Sequence, residues 1–134
     1  MRVIPVGLRG TYAMTVRSEH LASQFKDAIL PPVLATPIMV LIMENAALNT
    51  IRDYLEADEA AVGTKINVKH LAATPVGHRV VANAEVIEVD GRRIEFKVTA
   101  CDETELIGAG THQRMVVNLG RVKSRLAAKS RKSL

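Results

Sequence analysis

Residues 35–56, with the sequence ATPIMVLIMENAALNTIRDYLE, decide the fold of this chain. They predict one long helix, because Thr36 is a favoured N-cap residue and Pro37 suits the first helical position. Every residue from Ile38 to Met43 is apolar. A helix that is apolar on all sides is buried on all sides, so we expect this helix to lie at the centre of the core.

One acidic residue, Glu44, lies within this predicted helix. Steps of three and four residues place it on an apolar stripe with Val40, Leu41, Leu48 and Ile51. The polar residues of the helix share a different face, which consists of Asn45, Asn49, Arg52, Asp53 and Glu56. Because an unpaired buried carboxylate is costly, we expect Glu44 to have a partner elsewhere in the chain.

The composition predicts one globular domain. The chain has 134 residues, of which 48% are hydrophobic, a size typical of a single core. Its one cysteine, Cys101, excludes an intramolecular disulfide and fits the reducing cytoplasm. We expect no signal peptide and no membrane partner, because the N-terminus lacks an apolar segment and the longest apolar run stops at Glu44.

The positive charge is concentrated at the C-terminus. The net charge is +4, yet residues 121–134 contain six lysines and arginines and no acid, so the remainder is slightly acidic. We therefore divide the chain into a domain at residues 1–120 and a basic tail at 121–134, expected to be solvated and partly frayed. Such a tail could bind nucleic acid, a membrane surface or the phosphates of a ligand. The low aromatic content of 3% disfavours the stacking of single-stranded nucleic acid.

Strand patterns lie on both sides of the helix. Alternation of apolar and polar residues predicts strands at residues 11–17, 64–72, 78–89, 92–100 and 106–119. A short helix is predicted at 18–29, and the apolar segment 30–35 resembles a lid. Asp90 and Gly91 form a hairpin signal. In the strand that follows, alternation is expected to turn four residues inward: Ile94, Phe96, Val98 and Ala100. The economical arrangement of these elements is an α+β fold in which a curved antiparallel sheet wraps around one long central helix.

Three residues of this predicted fold are candidates for catalysis. Strand parity places His70 on the inward face with Ile66 and Val68, and Glu44 points into the same space, within one protomer or across a dimer. Thr36 lies at the helix start, where backbone N–H groups favour negative charge. An acid, a histidine and a hydroxyl are the components of an acyl-transfer or ester-hydrolysis site.

Each candidate also has a structural explanation. Thr36 could only cap the helix; Glu44 could be half exposed or paired with an arginine such as Arg114; and His70 could be a hydrogen-bonded core residue. The other histidines, His20, His78 and His112, are assigned mostly to structure or surface. The spacing of the histidines and Cys101 predicts no metal site.

Three segments of the chain resemble hot-dog-fold thioesterases related to fluoroacetyl-CoA thioesterase. They are ATPIMVLIMENAA, GTKINVKHLAATPVG and IGAGTHQRMVVN, and the resemblance extends over about residues 10–119. It implies a hot-dog fold, a homodimer or a dimer of dimers, and hydrolysis of an acyl-CoA thioester. Coenzyme A is then part of the substrate, and no separate cofactor is expected.

The resemblance also implies roles for individual residues. The catalytic threonine, glutamate and histidine of the family fall on Thr36, Glu44 and His70, and its substrate-contacting glycine and arginine fall on Gly63 and Arg114. Where the fluoroacetyl-specific enzyme has an aromatic lid residue, this chain has Leu30.

Leu30 therefore implies a binding pocket for a small or medium apolar acyl group. A non-catalytic acyl-CoA sensor on the same fold is the alternative function, and its mark would be affinity for the ligand without turnover. Hydratase chemistry is disfavoured, because its Asp-x-Asn-Pro-x-His signature is missing from the sequence.

Overall fold

The computed structural model describes residues 1–132. Its helices and strands are, in chain order, β1 (Arg9–Thr15), α1 (Ala22–Phe25), α2 (Thr36–Ile51), β2 (Glu59–His70), β3 (Arg79–Asp90), β4 (Arg93–Cys101), β5 (Leu106–Asn118) and α3 (Leu119–Ser130). Short 3-10 turns occupy Ser18–His20 and Arg52–Tyr54.

The five strands form one antiparallel sheet in the order β1-β3-β4-β5-β2, and α2 packs against it. The predicted α+β arrangement of a sheet around a single long helix is confirmed. The predicted inward face of β4 is also confirmed, because all four of its residues are fully buried: Ile94, Phe96, Val98 and Ala100. The strand β2 lies at one edge of the sheet, where its outer backbone groups have no neighbouring strand among residues 1–132.

The helix α2 begins one residue before Pro37, the predicted first helical position, and ends five residues earlier than predicted. Ala35 is its N-cap residue, in an extended conformation and without a side-chain cap bond, so Thr36 is the first helical residue. The predicted N-cap role of Thr36 is therefore wrong. The α-helix ends at Ile51 rather than at residue 56, because the chain tightens there into the 3-10 turn, in which the Leu55 N–H donates to the Arg52 carbonyl.

Glu44 does not lie on the buried face of α2, and this prediction is wrong. The buried face consists of Met39, Ile42, Met43, Ala46, Ala47, Thr50 and Ile51. The Glu44 side chain is 36% exposed, and Leu41 on the same side of the helix is 44% exposed. The reason is that the sheet covers only one side of the helix, so a helix with an apolar sequence all round still presents one apolar side to the exterior.

The predicted helix at residues 18–29 is also wrong. It is replaced by a 3-10 turn and the single turn of α1. A continuous helix is interrupted because Leu21 forms an isolated β-bridge with Leu34, and the Ala22 N–H donates to the Val33 carbonyl. These contacts fix the apolar segment 30–35 next to the start of α2.

The strand β2 starts five residues earlier than predicted, at Glu59. Gly63, which precedes the predicted strand, lies inside the observed one, next to a bulge between Gly63 and Lys65. After the bulge, Ile66 and His70 pair with His112 and Gly108 of β5. The bulge therefore sets which β2 residues share a face with β5 residues.

The basic segment continues the fold as a helix. The Asn118 side chain caps α3 by accepting a hydrogen bond from the Arg121 N–H. Residues 121–130 are mostly exposed, as expected, but they form a helix and do not fray. Residues 133–134 of the predicted tail lie outside the described residues. Among residues 1–132, no helix is long and apolar enough to cross a membrane.

Candidate active site

Thr36 and His70 form the first cluster of the candidate site. The first turn of α2 carries Thr36 and the last position of β2 carries His70, and the Thr36 Oγ1 lies 2.8 Å from His70 Nδ1. Because Ala35 is the N-cap residue, the Thr36 hydroxyl is free to bond the imidazole. The structure therefore joins two of the three predicted catalytic residues directly.

His70 has a second nitrogen with no partner in the described part of the chain. Its Nε2 is buried and makes no hydrogen bond to protein atoms. Burial lowers the pKa of His70 from its ordinary value of 6.5, which favours the neutral imidazole at neutral pH. A neutral imidazole bonded to a hydroxyl is equipped to accept or relay a proton.

A cavity of about 500 Å³ opens beside this pair. It is mostly apolar, and its lining residues include Ala22, Lys26, Leu30, Pro31, Val33, Leu34, Thr36, His70 and Leu71. Leu30, predicted to contact substrate, therefore lines the same cavity as Thr36 and His70. Apart from the titratable imidazole of His70, Lys26 is the only basic residue among the described residues that line this cavity.

Glu44, Gly63 and Arg114 form the second cluster. The Arg114 Nη1 lies 3.7 Å from Glu44 Oε2, which makes the ion pair that the sequence left open as an alternative. A Cβ atom on Gly63 would lie 2.8 Å from Glu44 Oε2. The carboxylate therefore packs directly on the Gly63 backbone, in space that any other residue would fill.

Arg114 is held in place by two further partners. It is only 8% exposed, and its Nε and Nη2 both donate to the Ala61 carbonyl, at 3.2 and 2.7 Å. Its Nη1 lies 3.1 Å from His112 Nε2. Burial lowers the pKa of Arg114, while Glu44 opposes this shift; a guanidinium nevertheless remains cationic at neutral pH.

His112 is the residue of this cluster that sequence reasoning missed. It is 1% exposed, its Nδ1 lies 2.8 Å from the Lys65 carbonyl, and its ring stacks on Phe96. The sequence contains a signal for it, since two-residue steps along β5 put His112 on the same face as Arg114. Strand parity alone does not reveal the hydrogen bond between the two side chains.

The two clusters do not meet within one chain. Thr36 and Glu44 are eight residues apart on α2, or about 12 Å along a helix axis. Glu44 lines a separate cavity of about 250 Å³ together with Val40, Gly63, Thr64, Lys65, Ile66 and His112. A single chain thus brings together Thr36 with His70, and Glu44 with Gly63 and Arg114, but not the complete predicted trio. Within residues 1–132, no group of three potential ligands could hold a metal ion.

Comparison with known proteins gives consistent similarities. A family model described as FlK, fluoroacetyl-CoA-specific thioesterase, matches residues 16–119. The fluoroacetyl-CoA thioesterase of Streptantibioticus cattleyicolor is 42% identical over 117 residues, which cover 87% of this chain and 83% of that protein.

Two solved structures are similar over nearly the whole chain. A variant of the fluoroacetyl-CoA thioesterase FlK in complex with acetyl-CoA has a TM-score of 0.89 at 36% identity, covering 93% of this chain and 98% of the other. A thioesterase superfamily member from Thermus thermophilus has a TM-score of 0.89 at 28% identity, covering 97% and 96%. Sequence and structure comparisons therefore agree on one family.

Proposed function

This chain belongs to the fluoroacetyl-CoA-specific thioesterase family and is an acyl-CoA thioester hydrolase of the hot-dog fold, and from this premise we propose that Thr36, Glu44 and His70 hydrolyse a small or medium acyl-CoA. The observation that supports these residues is the 2.8 Å contact between Thr36 and His70 at the edge of an apolar cavity. Water and the thioester yield the free acid and coenzyme A.

We propose that the functional unit is a homodimer in which each active site takes residues from both chains. The β2 edge carries exposed apolar side chains, with Val62 41% and Ile66 42% exposed, and Leu41 of α2 is also exposed. An unpaired apolar edge strand is suited to pairing with another copy of itself. Such a dimer would also cover the exposed side of α2.

The geometry of β2 supports this composite site. If two β2 strands pair in antiparallel fashion about a two-fold axis between Ile66 and Asn67, His70 lies opposite Gly63 of the partner subunit. The carboxylate that packs on that glycine is Glu44 of the partner subunit, held there in each chain as described above. The dimer would thereby unite the two clusters that one chain keeps apart.

In the proposed reaction the acyl group occupies the cavity beside Leu30, and the thioester carbonyl lies between Thr36 and Glu44. Glu44 either deprotonates a water molecule that attacks the carbonyl carbon or attacks it directly. In a third route, the Thr36 hydroxyl attacks while His70 takes its proton. In all three, the carbon–sulfur bond breaks and the coenzyme A thiolate takes up a proton as it leaves. In the two covalent routes, water then hydrolyses the acyl anhydride on Glu44 or the acyl ester on Thr36, which releases the free acid and restores the side chain.

Stabilisation of the developing oxyanion falls to backbone donors in this proposal. The bulge next to Gly63 removes Thr64 from the regular ladder with β5, and bulged backbone groups are free to bind a ligand. The Lys26 ammonium at the apolar cavity is suited to binding a phosphate of coenzyme A.

We also propose a cytoplasmic location, which the single Cys101 supports.

The test of this function is release of thiol from a panel of acyl-CoA esters, from acetyl to long-chain and aryl, with fluoroacetyl-CoA included. We expect turnover on short and medium apolar esters and its loss in Glu44→Ala. The matched control is Glu105→Ala, which removes an exposed carboxylate in the turn between β4 and β5. Binding of all esters without any turnover would instead indicate a sensor.

Complementation tests the composite site. Thr36→Val and Glu44→Ala subunits, each inactive alone, are unfolded together and refolded as an equal mixture. Half of the dimers are then mixed, each with one intact site of two, so about a quarter of wild-type activity should return. If each site lies within one chain, every site carries a defect and no activity returns.

A further inference from the structure

His112 stands between a backbone carbonyl of β2 and the guanidinium that holds Glu44. Its Nδ1 is 2.8 Å from the Lys65 carbonyl oxygen, and its Nε2 is 3.1 Å from Arg114 Nη1. The Arg114 Nη1 is also the atom paired with Glu44 Oε2. A continuous chain of contacts therefore runs from the β2 backbone through His112 and Arg114 to the proposed catalytic carboxylate.

These contacts define the tautomer of His112. A carbonyl oxygen only accepts hydrogen bonds, so Nδ1 must carry the proton and donate it to Lys65. A guanidinium only donates, so Nε2 must be unprotonated and accept from Arg114. Both ring nitrogens are then satisfied in the neutral form alone. Burial is the main cause that lowers the pKa of His112, and the Arg114 charge adds to it.

We propose that His112 is a positioning residue for thioester hydrolysis, and that its Nε2 acceptor fixes the orientation in which Arg114 holds Glu44. This inference rests on the catalytic role proposed for Glu44. Without the Nε2 acceptor, the Nη1 group keeps only the ion pair with Glu44, while Nε and Nη2 remain on the Ala61 carbonyl. The guanidinium could then turn about that carbonyl and carry the carboxylate away from Gly63.

A purely structural role is the competing explanation. His112 is nearly fully buried and its ring stacks on Phe96 at 6.0 Å, so its bond to Lys65 could serve only to anchor β2 to β5. The two explanations assign importance to different ring nitrogens: Nδ1 for the anchor and Nε2 for the positioning of Arg114. Substitutions that preserve one nitrogen at a time separate them.

The matched pair is His112→Gln and His112→Asn. The Gln carbonyl oxygen reaches the Nε2 position and keeps an acceptor for Arg114, whereas the Asn amide reaches the Nδ1 position and keeps a donor to Lys65. Both lose the stacked ring equally. We expect His112→Gln to keep kcat within about fivefold of wild type, and His112→Asn to lower it about 100-fold, the scale of a misplaced catalytic group.

A second readout is whether the loss of activity in His112→Asn falls on kcat or on KM. Because His112 acts through Arg114 rather than on the acyl group, the loss in His112→Asn should fall on kcat more than on KM. In an Arg114→Lys background, which lacks the bonded guanidinium, the same substitution should have little further effect. Equal losses in Gln and Asn, or full activity of the Asn variant, would overturn the proposal.

Nitrogen NMR of the wild-type protein tests the inference without activity. We expect a proton-bearing Nδ1 signal and a proton-free Nε2 signal for His112, assigned by their loss in His112→Gln. A proton on Nε2 would overturn the inference even if the Asn variant does not fold. Failure of the proposed function looks different, because Glu44→Ala would then retain activity while the NMR result still stands.

Discussion

The Thr36 hydroxyl lies 2.8 Å from Nδ1 of His70 and so links the first turn of the central helix to the last residue of an edge strand. Thr36 therefore does not have the N-cap role that the sequence predicted for it. The hydroxyl of a cap bonds its own helix, whereas this one bonds a residue 34 positions away. A change at Thr36 should consequently affect catalysis more than stability.

The first prediction concerns Thr36→Val, which replaces the hydroxyl with a methyl group of similar size. We expect kcat/KM to fall about 100-fold or more, the range of a lost acid–base partner, while Thr36→Ser keeps most activity. Loss of a true N-cap costs about 1 kcal/mol, but Ala35 holds that position. Urea unfolding should therefore show a smaller change, and a large loss of stability with normal kinetics would contradict this role.

The second prediction concerns Gly63→Ala. The added Cβ would lie 2.8 Å from Glu44 Oε2, so the carboxylate must move, and we expect kcat to fall about 10- to 100-fold. The clash is with the end of a flexible side chain, so the midpoint of thermal unfolding should change little. Steady-state kinetics and calorimetry on the same sample provide both numbers. Wild-type kcat in this variant would show that the position of Glu44 against Gly63 does not matter.

The strands of the sheet could be predicted from the sequence because apolar and polar residues alternate within each strand's own segment. Alternation alone placed Ile94 and Phe96 of β4 in the core, and the hairpin signal at Asp90 lay within one residue of the turn. These features depend on neighbours along the chain. Strand parity grouped His70 with Ile66 and Val68 on one face of β2, which made His70 a site candidate before any contact was known. The inward direction predicted for that face is wrong for Ile66, which is 42% exposed.

The side of α2 that faces the sheet could not be read from the sequence. Its apolar residues continue around the helix, and an apolar surface that another subunit would permanently cover resembles a core surface. Glu44 was therefore placed on the buried stripe although it is partly exposed in one chain. His112 was missed for a related reason, since its role depends on hydrogen bonds with Lys65 and Arg114 that no periodicity encodes.

The third prediction concerns acid pH. Burial lowers the pKa of both His70 and His112 from 6.5, so below about pH 6.5 the unfolded chain binds more protons than the folded one. Stability must then decrease as the pH falls. We expect the free energy of unfolding in urea to drop from neutral pH to about pH 5, and to drop less in His112→Gln, which cannot titrate. Parallel curves for wild type and variant would contradict this.

The last prediction concerns the packing of α2 on β5. A Cβ on Gly108 would lie 2.5 Å from the Met39 sulfur and 2.9 Å from the terminal methyl of Met43. Unlike the partly exposed Glu44, Met39 and Met43 are fully buried, so the ends of their side chains have no free space to move into. We therefore expect Gly108→Ala to destabilise the fold by about 1–3 kcal/mol, as overpacking does.

Shortening the opposing side chain should relieve that overlap. Met39→Val removes the sulfur and its methyl group and costs stability on its own, because it leaves a cavity. In the double variant the methyl group that Gly108→Ala introduces would occupy part of that space, so the combined loss should be smaller than the sum of the two single losses. Urea unfolding of the four proteins measures this coupling. Strictly additive losses would mean that Gly108 does not set the distance between α2 and the sheet. Gly108 would then have no influence on the distance between Thr36 and His70 either.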